Sequence, residues 1–370
     1  MHVPFVDLKA QYLSIKEEID SAIAQVLQNT SFIGGETVRQ FEKAFAEYIG
    51  INHCISCGNG TDAIEILLQA MGIGEGDEVI VPAISWIATS EAVSTVGATP
   101  VFVDIEPEFY TLDPAKIEEK ITSKTKAIIP VHLYGQPANM PAIMEIAQKY
   151  QLKVLEDCAQ AHGATIAGKT VGTWGDCGTF SFYPGKNLGA YGDAGAMITN
   201  DPELAEKARR IGNHGQLTKH DHTIEGRNSR LDTLQAAILS VKLQHLATWT
   251  QARQAHALHY TQLLSEAPVE TPQVRENAEP VYHLYVVRSK MRDELRDYLK
   301  TQGIATGIHY PIALPLLPCY QKFQHTAEDF PVASQYQQEI LSLPIFAELT
   351  KEQMEQVAQG IHNFAVQKSF

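Results

Sequence analysis

The sequence is short of basic residues. Its 370 residues include 29 lysines and arginines against 43 aspartates and glutamates, which gives a formal net charge of −14. Proteins that bind nucleic acid depend on basic surfaces that displace counterions from the phosphates. We therefore expect no nucleic-acid partner, and any anionic ligand would have to be held by backbone amides or a few local cations.

Long apolar segments are missing as well. No apolar run approaches the ~18 residues that a membrane span requires. Near the N-terminus, Asp7 and Lys9 lie where a secretory signal peptide would need its apolar core. The sequence therefore predicts a cytoplasmic protein without a membrane partner.

Cysteine is scarce, and its distribution argues against disulfides and zinc. Five cysteines are spread along the chain, an odd number that does not indicate a disulfide framework. Cys54 and Cys57 form a C-x-x-C, but no second pair completes a tetrahedral site. Residues 219–222 (KHDH) have the residue types of a metal site but lie in a polar stretch. We interpret the segment with Cys54 and Cys57 as a buried strand and residues 219–222 as a solvated loop, and we predict no metal.

The glycine fingerprint of dinucleotide-binding proteins is also absent. The nearest candidate is Gly72-Ile-Gly74-Glu-Gly76, but Asp77 stands where G-x-G-x-x-G needs its last glycine. The segment also precedes a strand-like stretch instead of following one. A nicotinamide or flavin dinucleotide is therefore not expected.

The first half of the chain has the pattern of an α/β domain. Between about residues 50 and 200, apolar strand-like segments alternate with amphipathic helical ones, which predicts a mainly parallel sheet. The predicted helices span residues 14–28, 36–49, 61–71, 87–96, 114–121 and 140–150. The short connection between TFSFYP and GAMITN predicts one antiparallel neighbour.

The second half predicts a smaller lobe. A long helix begins near Asp232 and should bridge two domains, because a chain of this length exceeds one ordinary core. VYHLYVVRS, a helix near residues 292–302 and TGIHYP indicate an α+β lobe, and Thr350 begins a capping box for the last helix. We predict a large domain over residues 1–245 and a small one over 246–370.

The segment TFSFYPGKNLGAYGDAGAMITN contains the most informative lysine. Lys186 follows an apolar strand in a turn made by Pro184 and Gly185. Partial desolvation there would lower the pKa of the amine and allow it to form a Schiff base. Taken alone, Lys186 could equally be a solvated loop lysine.

Three further segments point to a cofactor with a ring and a phosphate. Asp157 and Gln160, in KVLEDCAQAHGA, lie at the end of an apolar strand, where a carboxylate needs a cationic partner such as a protonated ring nitrogen. A structural salt bridge is the alternative. CGNGTDAIEILL starts a helix near Thr61 that could bind a phosphate, or be capped without one. Trp86 could stack on a planar ring or belong to the core.

Together these segments resemble the DegT/DnrJ/EryC1/StrS family of fold-type I sugar-nucleotide aminotransferases, which use pyridoxal 5'-phosphate (PLP). The resemblance extends from VPFVDLKAQY through TGIHYP to SLPIF, and its most specific motif is S-F-Y-P-x-K-N-L-G-A-x-G-D. One position departs from the pattern: many members have G-D-G-G where this chain has Ala194 in third place. An alanine would be unfavourable there only if the site needs a positive φ.

The resemblance implies a role for each motif residue. Lys186 would form the Schiff base and later carry the proton, Asp157 would pair with the pyridine nitrogen, Gln160 would contact the phenolic oxygen and Trp86 would stack on the ring. The implied phosphate contacts are the amides of Gly60 and Thr61, the Ser181 hydroxyl, and Asn228 of a second subunit in a homodimer with shared sites. The implied substrate contacts are Arg230, His309 and Tyr310.

The implied reaction moves an amino group from an amino acid, by family habit glutamate, to the ketone of a nucleotide-linked sugar, through the pyridoxamine phosphate form. The N-G-T-D-A sequence resembles members that act on 3-keto sugars more than the S-G-T-A-A form common among 4-keto enzymes, and the nucleotide, UDP or dTDP, stays open. Two alternatives are weaker. Sugar dehydratases of this fold carry histidine at the position of Lys186, and non-catalytic regulators usually add a DNA-binding domain for which this chain has no spare length.

Overall fold

A computed structural model describes residues 2–368 of the chain. The α-helices, in chain order, are α1 Leu8–Ser14, α2 Lys16–Asn29, α3 Glu36–Ile49, α4 Gly60–Ala70, α5 Ala88–Thr95, α6 Met140–Tyr150, α7 Pro202–Gly212, α8 Thr233–Leu263, α9 Arg292–Thr301, α10 Pro331–Glu339 and α11 Lys351–Gln367. The strands are β1 His53–Cys57, β2 Glu78–Pro82, β3 Thr99–Val103, β4 Thr125–Ile128, β5 Lys153–Asp157, β6 Thr165–Ile166, β7 Lys169–Thr170, β8 Cys177–Ser181, β9 Gly195–Thr199, β10 Ala278–Glu279, β11 Tyr285–Arg288 and β12 Ile340–Leu343. Among the helices of residues 2–368, none is both long and apolar enough to cross a bilayer.

The main sheet is the predicted mixed, mainly parallel one. Its seven strands run in the order β1-β9-β8-β5-β4-β2-β3. All are parallel except β9, which pairs antiparallel with both β1 and β8, as the short connection before it predicted. The carboxyl ends of β1, β8, β5, β4 and β2 therefore meet at one edge, where ligands bind in sheets of this type.

Helices cover both faces of this sheet, which explains why its strands are largely apolar. Val79 and Val81 of β2 pack in one buried cluster with residues of α4 and α5. Ile80, between them, points to the other face and packs with Met140 and Ile143 of α6. The alternation along a single strand thus divides the core into two layers.

Most of the predicted helices are confirmed, and one prediction is wrong. The helices at 36–49 and 140–150 have the predicted bounds, and those at 61–71 and 87–96 differ by one residue at each end. The helix predicted over 14–28 is α2, which begins two residues later and ends one residue later than predicted, and α1 before it was not predicted as a separate helix. Ile15, which separates α1 from α2, is buried with Ile19, Ile238 and Trp249.

The wrong prediction is the helix over 114–121. The structure has two short 3₁₀ turns instead, Pro114–Lys116 and Glu118–Lys120. The Asp113 side chain caps the first through the amide of Ala115, at 3.0 Å. A segment of this length is too short to make an α-helix stable without extensive packing.

The second half of the chain is organised around α8, a helix of 31 residues. The buried guanidinium of Arg253 on α8 donates to the carbonyls of Tyr282, His283 and Ile345, at 2.9–3.5 Å. These bonds tie the helix to the segment that leads into β11, which pairs with β12. Thr350 and Gln353 form the predicted capping box of α11. The boundary predicted at residue 245 falls inside α8, and we propose that this helix joins the two domains.

A buried carboxylate on β5 holds the strand that carries the predicted site. Glu156 is fully buried, and its oxygens accept hydrogen bonds from His132 Nε2 (3.0 Å) and from three backbone amides at 2.7–2.8 Å. These amides belong to Gly172, Trp174 and Gly175. Because His132 Nδ1 accepts from Ala138 N, its ring proton lies on Nε2. Cys158 completes a His–Glu–Cys cluster, but hydrogen bonds already occupy the histidine and glutamate atoms.

Replacing the Glu156 carboxylate should therefore destabilise the fold. In Glu156→Gln one acceptor oxygen becomes an NH₂ group facing backbone donors, and we expect a loss of about 3 kcal/mol in the free energy of unfolding, measured by urea denaturation. The matched control is Glu145→Gln on the exposed side of α6, for which we expect a change within about 0.5 kcal/mol. Equal urea midpoints for the two variants would contradict a stabilising role for Glu156.

Candidate active site

Direct strand pairing brings three predicted segments to one edge of the main sheet. Gly195, at the start of β9, lies opposite Cys57 at the end of β1 and opposite Ser181 at the end of β8. On the other side of β8, Asp157 of β5 lies opposite Thr179. The start of α4, the Ser181 hydroxyl and the Asp157 carboxylate therefore share this edge.

The start of α4 is seated closely between β8 and β9. Asn59 caps the helix by accepting from the amide of Asp62 at 2.8 Å. A Cβ at Gly60 would lie 2.8 Å from Ser181 Cβ, and a Cβ at Gly195 would lie 2.4 Å from the Asn59 carbonyl. Glycine at both positions thus allows the first-turn amides of α4 to reach Ser181. Free amides at a helix start, beside a hydroxyl, fit a phosphate group.

Asp157 is a buried carboxylate held by neutral donors. Its Oδ2 accepts from the Thr89 hydroxyl at 2.8 Å and its Oδ1 from the amide of Ala159 at 3.1 Å. Since the Thr89 proton is used in this way, Ser85 donates to Thr89 Oγ1, at 2.8 Å. Asp157 is 5% exposed and forms no salt bridge within residues 2–368. The structural salt bridge considered as an alternative is therefore not found. The carboxylate can still accept a hydrogen bond from a protonated ring nitrogen.

Lys186 lies in a tight turn next to this carboxylate. Its backbone amide donates to the carbonyl of Tyr183 at 2.9 Å. Burial lowers the pKa of the Lys186 amine to about 8, and the negative charge of Asp157 opposes that shift. Within the described residues the amine has no hydrogen-bond acceptor, so it is free to react. Roughly one such amine in ten is uncharged at pH 7, in contrast to a solvated loop lysine.

Three histidines surround Lys186, and two of them escaped the sequence analysis. Burial is the main cause of their lowered pKa values, and the charge of Lys186 is a second one. The pKa falls to about 3 for His162 and about 4 for His309, and lies well below the usual value for His283. All three are uncharged at neutral pH and add no repulsion to the amine. The only sequence signal for His162 was its position two residues after Gln160.

Gln160 joins the cofactor side of the site to the predicted substrate side. Its Oε1 accepts from the backbone amide of Tyr134 at 2.7 Å, and its Nε2 donates to the Tyr310 hydroxyl at 3.1 Å. The Trp86 ring lies 5.6 Å from the Tyr310 ring and is 57% exposed. Trp86 is therefore not a core residue, and its ring is available for stacking beside the site.

Three hydrogen bonds fix the loop after Lys186, and none of them was predicted. The Asn187 side chain donates to the carbonyl of Val281 at 3.0 Å and accepts from His283 Nδ1 at 3.2 Å. Lys242 of α8 is buried and donates to the carbonyl of Gly189 at 2.7 Å. These partners are about 50 to 100 residues away in sequence, so no local pattern could reveal them.

Two predicted residues do not join the site of their own chain. The side chains of Asn228 and Arg230 are exposed. Within residues 2–368 the Arg230 guanidinium forms a hydrogen bond only with the Asn213 side chain, at 3.4 Å, and the Asn228 side chain has no hydrogen-bond partner. Between them, Ser229 contacts Gly58 N and the Asp62 carboxylate. The segment thus passes the start of α4 with these two side chains toward solvent.

The remaining predictions concern His309, the cysteines and Ala194. His309 Nδ1 is 2.8 Å from the Ser342 hydroxyl, and its ring stacks on Phe5. Cys54 and Cys57 are buried in β1 and residues 219–222 are exposed, as expected. Ala194 is not among the residues with a positive φ, so the departure from the family motif costs no backbone strain.

Comparisons with known proteins agree with this arrangement. Residues 13–362 match the model of the DegT/DnrJ/EryC1/StrS aminotransferase family. A pleiotropic regulatory protein of Geobacillus stearothermophilus is 49% identical over 98% of this chain and 99% of its own length. The UDP-N-acetyl-3-dehydro-α-D-glucosamine 3-aminotransferase of Acidithiobacillus ferrooxidans is 45% identical over 97% of both chains.

A solved structure extends the likeness to the whole fold. The crystal structure of S. venezuelae DesV in complex with a ketimine intermediate matches with a TM-score of 0.96 and 43% identity, over 98% of each chain. The predicted fold-type I architecture is thereby confirmed. The chain belongs to the DegT/DnrJ/EryC1/StrS aminotransferase family.

Proposed function

We propose that this protein is a PLP-dependent aminotransferase that moves an amino group from an amino acid, glutamate by family habit, to the C3 ketone of a nucleotide-linked sugar. The observation that carries the proposal is the placement of Lys186 beside Asp157. The lysine has an amine with a pKa of about 8 and no hydrogen-bond acceptor within residues 2–368. The carboxylate beside it is buried without a cationic partner in the same range.

Each residue has a task that its surroundings support. PLP, when bound, supplies a ring that accepts the electrons left when a proton leaves the amino-acid α-carbon. Asp157 would hold the proton on the ring nitrogen, and Lys186 would carry the proton from the amino-acid α-carbon to the aldehyde carbon of the cofactor. The amides of Gly60 and Thr61 and the Ser181 hydroxyl would hold the phosphate, while Gln160 and Trp86 would contact the ring.

The preference for a 3-keto sugar rests on the relatives and on one motif. The Acidithiobacillus enzyme is named for a 3-dehydro sugar nucleotide, and the N-G-T-D-A sequence of this chain favours the same position. A 4-keto substrate is the alternative. A dehydratase would need a histidine in place of Lys186, because its chemistry requires that no Schiff base form with the enzyme.

A second candidate function is regulation by a non-catalytic, PLP-binding protein. The Geobacillus relative carries a regulatory name at 49% identity. A regulator of that kind would bind the cofactor without turning over a sugar substrate. The lowered pKa of Lys186 suits both candidates, because covalent binding of PLP also needs an uncharged amine, so turnover of a sugar separates them.

We further propose a homodimer in which Asn228 and Arg230 reach the site of the partner. Both side chains are exposed, and the residues just after them in sequence contact a segment with exposed apolar side chains. Phe32 and Ile33, which contact residues 232 and 233 through their backbones, are 46% and 55% exposed. Exposed apolar side chains of this size favour burial against another chain. A two-fold axis would make the exchange of Asn228 reciprocal.

The substrate assignment is tested by turnover. The protein is incubated with PLP, glutamate and nucleotide-linked sugars that carry a ketone at C3 or at C4, and the amino sugars are detected by mass spectrometry. We expect kcat/KM for the C3 ketone to be at least about tenfold higher, a difference of ~1.4 kcal/mol in transition-state binding. Amination of the C4 ketone alone would reverse the assignment, and cofactor binding without turnover of either sugar would favour the regulator.

Reconstitution of the apoprotein with PLP should report the ionisation of Lys186. Only the uncharged amine attacks the cofactor aldehyde, so the attachment rate should rise with pH and level off above about 8. A lysine with the usual pKa of 10.5 would give a rate that continues to rise far beyond that point. Stopped-flow absorbance measures the rate, and a profile without this plateau contradicts the lowered pKa.

The point of attachment can be checked on the same samples. Borohydride reduction followed by peptide mapping should place the cofactor on Lys186. Lys186→Ala should lose the label, whereas Lys43→Ala, at a side chain that is 79% exposed on α3, should keep it. A label on any other lysine would exclude Lys186 as the reactive amine.

The shared site is tested by mixing two inactive chains. Lys186→Ala removes the reactive amine and Asn228→Asp places a negative charge against the phosphate. If the site is shared, each mixed dimer has one fully wild-type site, and up to half of the wild-type activity per dimer should return. No recovery, with heterodimers verified by native mass spectrometry, would place Asn228 outside the partner's site.

A further inference from the structure

Four residues form a closed ring of hydrogen bonds between the two halves of the chain. The Tyr134 backbone amide donates to Gln160 Oε1 (2.7 Å), and Gln160 Nε2 donates to the Tyr310 hydroxyl (3.1 Å). The Tyr134 hydroxyl donates to the carbonyl of His309. Since His309 directly precedes Tyr310 in the chain, the peptide bond between them closes the ring. We call these four residues the Tyr134 ring.

The direction of each bond in the Tyr134 ring is determined by chemistry. The backbone amide of Tyr134 can only donate, so the oxygen of the Gln160 amide must face it. The nitrogen of that amide therefore faces Tyr310, whose oxygen accepts and whose own proton is left for another acceptor. Burial raises the pKa of the Tyr134 phenol well above its usual value, so it remains a donor at all ordinary pH values.

The backbone at Tyr134 is held in a conformation that aromatic residues rarely adopt. Its φ of 61° lies in the left-handed region, which a bulky side chain enters at a cost. Backbone bonds from the second half of the chain hold the turn. Leu284 N donates to the Tyr134 carbonyl at 3.2 Å and Val281 N to the Gly135 carbonyl at 3.0 Å. Strain maintained in this way, beside a binding site, points to a functional requirement.

We propose that Tyr134 is a positioning residue that orients the cofactor contact through its backbone amide and the substrate contact through its hydroxyl. The inference rests on the proposed function, in which Gln160 contacts the cofactor and His309–Tyr310 the sugar. The two arms of Tyr134 are chemically separate. Its backbone amide orients Gln160, and its hydroxyl holds the His309 carbonyl and thereby places Tyr310.

This separation allows one arm to be removed while the other stays. Tyr134→Phe keeps the backbone amide and the ring, which packs edge-on against Tyr110 at 5.8 Å, and deletes only the bond to His309. The freed segment would sample several positions, so the substrate would have to order it on binding. Gln160 would keep its orientation, so the cofactor contact would not change.

The test measures cofactor and substrate separately on holoenzyme. For Tyr134→Phe we expect KM for the nucleotide-linked keto-sugar to rise about tenfold, the scale of one lost buried hydrogen bond. We expect kcat to change less than about threefold, and the dissociation constant and visible spectrum of PLP to stay unchanged, because the chemistry and the Gln160 arm remain intact.

Two further variants separate positioning from general destabilisation. Tyr260→Phe removes a buried hydroxyl that has no hydrogen-bond partner within residues 2–368, and should leave KM and PLP affinity at wild-type values. Ser342→Ala removes the bond to His309 Nδ1 and should raise KM in the same selective way as Tyr134→Phe. It tests the same segment even if Tyr134→Phe folds poorly.

Two outcomes would overturn the proposal. One is a Tyr134→Phe variant that matches Tyr260→Phe in every measurement. The other is a variant that loses PLP affinity by the same factor as sugar affinity, since that would mean a general structural role. Failure of the proposed function is distinguishable, because the wild-type protein would then not aminate any sugar nucleotide and no KM could be compared.

Discussion

Two adjacent acidic residues on one strand organise the site, and they differ in how their charges are compensated. Glu156 and Asp157 follow each other on β5, so their side chains point to opposite faces of the sheet. Glu156 receives hydrogen bonds from three amides and a histidine, which compensate fully for its burial. Asp157 receives one hydroxyl and one amide, and no cation from residues 2–368. A buried carboxylate left in that condition favours a positively charged ligand atom.

The electrostatics of Lys186 depend on the same carboxylate. Burial alone would favour an uncharged amine, and Asp157 limits that effect, so that the pKa settles at about 8. The three surrounding histidines are uncharged because they are buried and because the amine is near. The site therefore combines the Asp157 carboxylate, which can bind a positive charge, with the Lys186 amine, which can gain or lose a proton. The histidines around them are uncharged, and this is the setting that proton transfer near pH 7 requires.

The sequence was sufficient to predict those parts of the site that lie at the ends of strands and in the turns after them. Asp157, Ser181 and the start of α4 all follow parallel strands, and parallel strands bring their carboxyl ends together whatever the details of packing. Tyr134, His283 and Lys242 could not be predicted, because their roles arise from contacts across about 50 to 175 residues. The break between α1 and α2 was missed for a related reason: burial of Ile15 is a tertiary effect that local periodicity does not contain.

The reversed direction of β9 has a consequence for how the reactive lysine is placed. Lys186 lies in the loop that joins β8 to β9, and the two ends of that loop, Ser181 and Gly195, are direct cross-strand neighbours. The entropic cost of closing such a loop is set by its own short length, not by the 370-residue chain. The lysine and the hydroxyl that fits the phosphate therefore form a local hairpin of low contact order, which can form rapidly and ahead of the long-range contacts that complete the site.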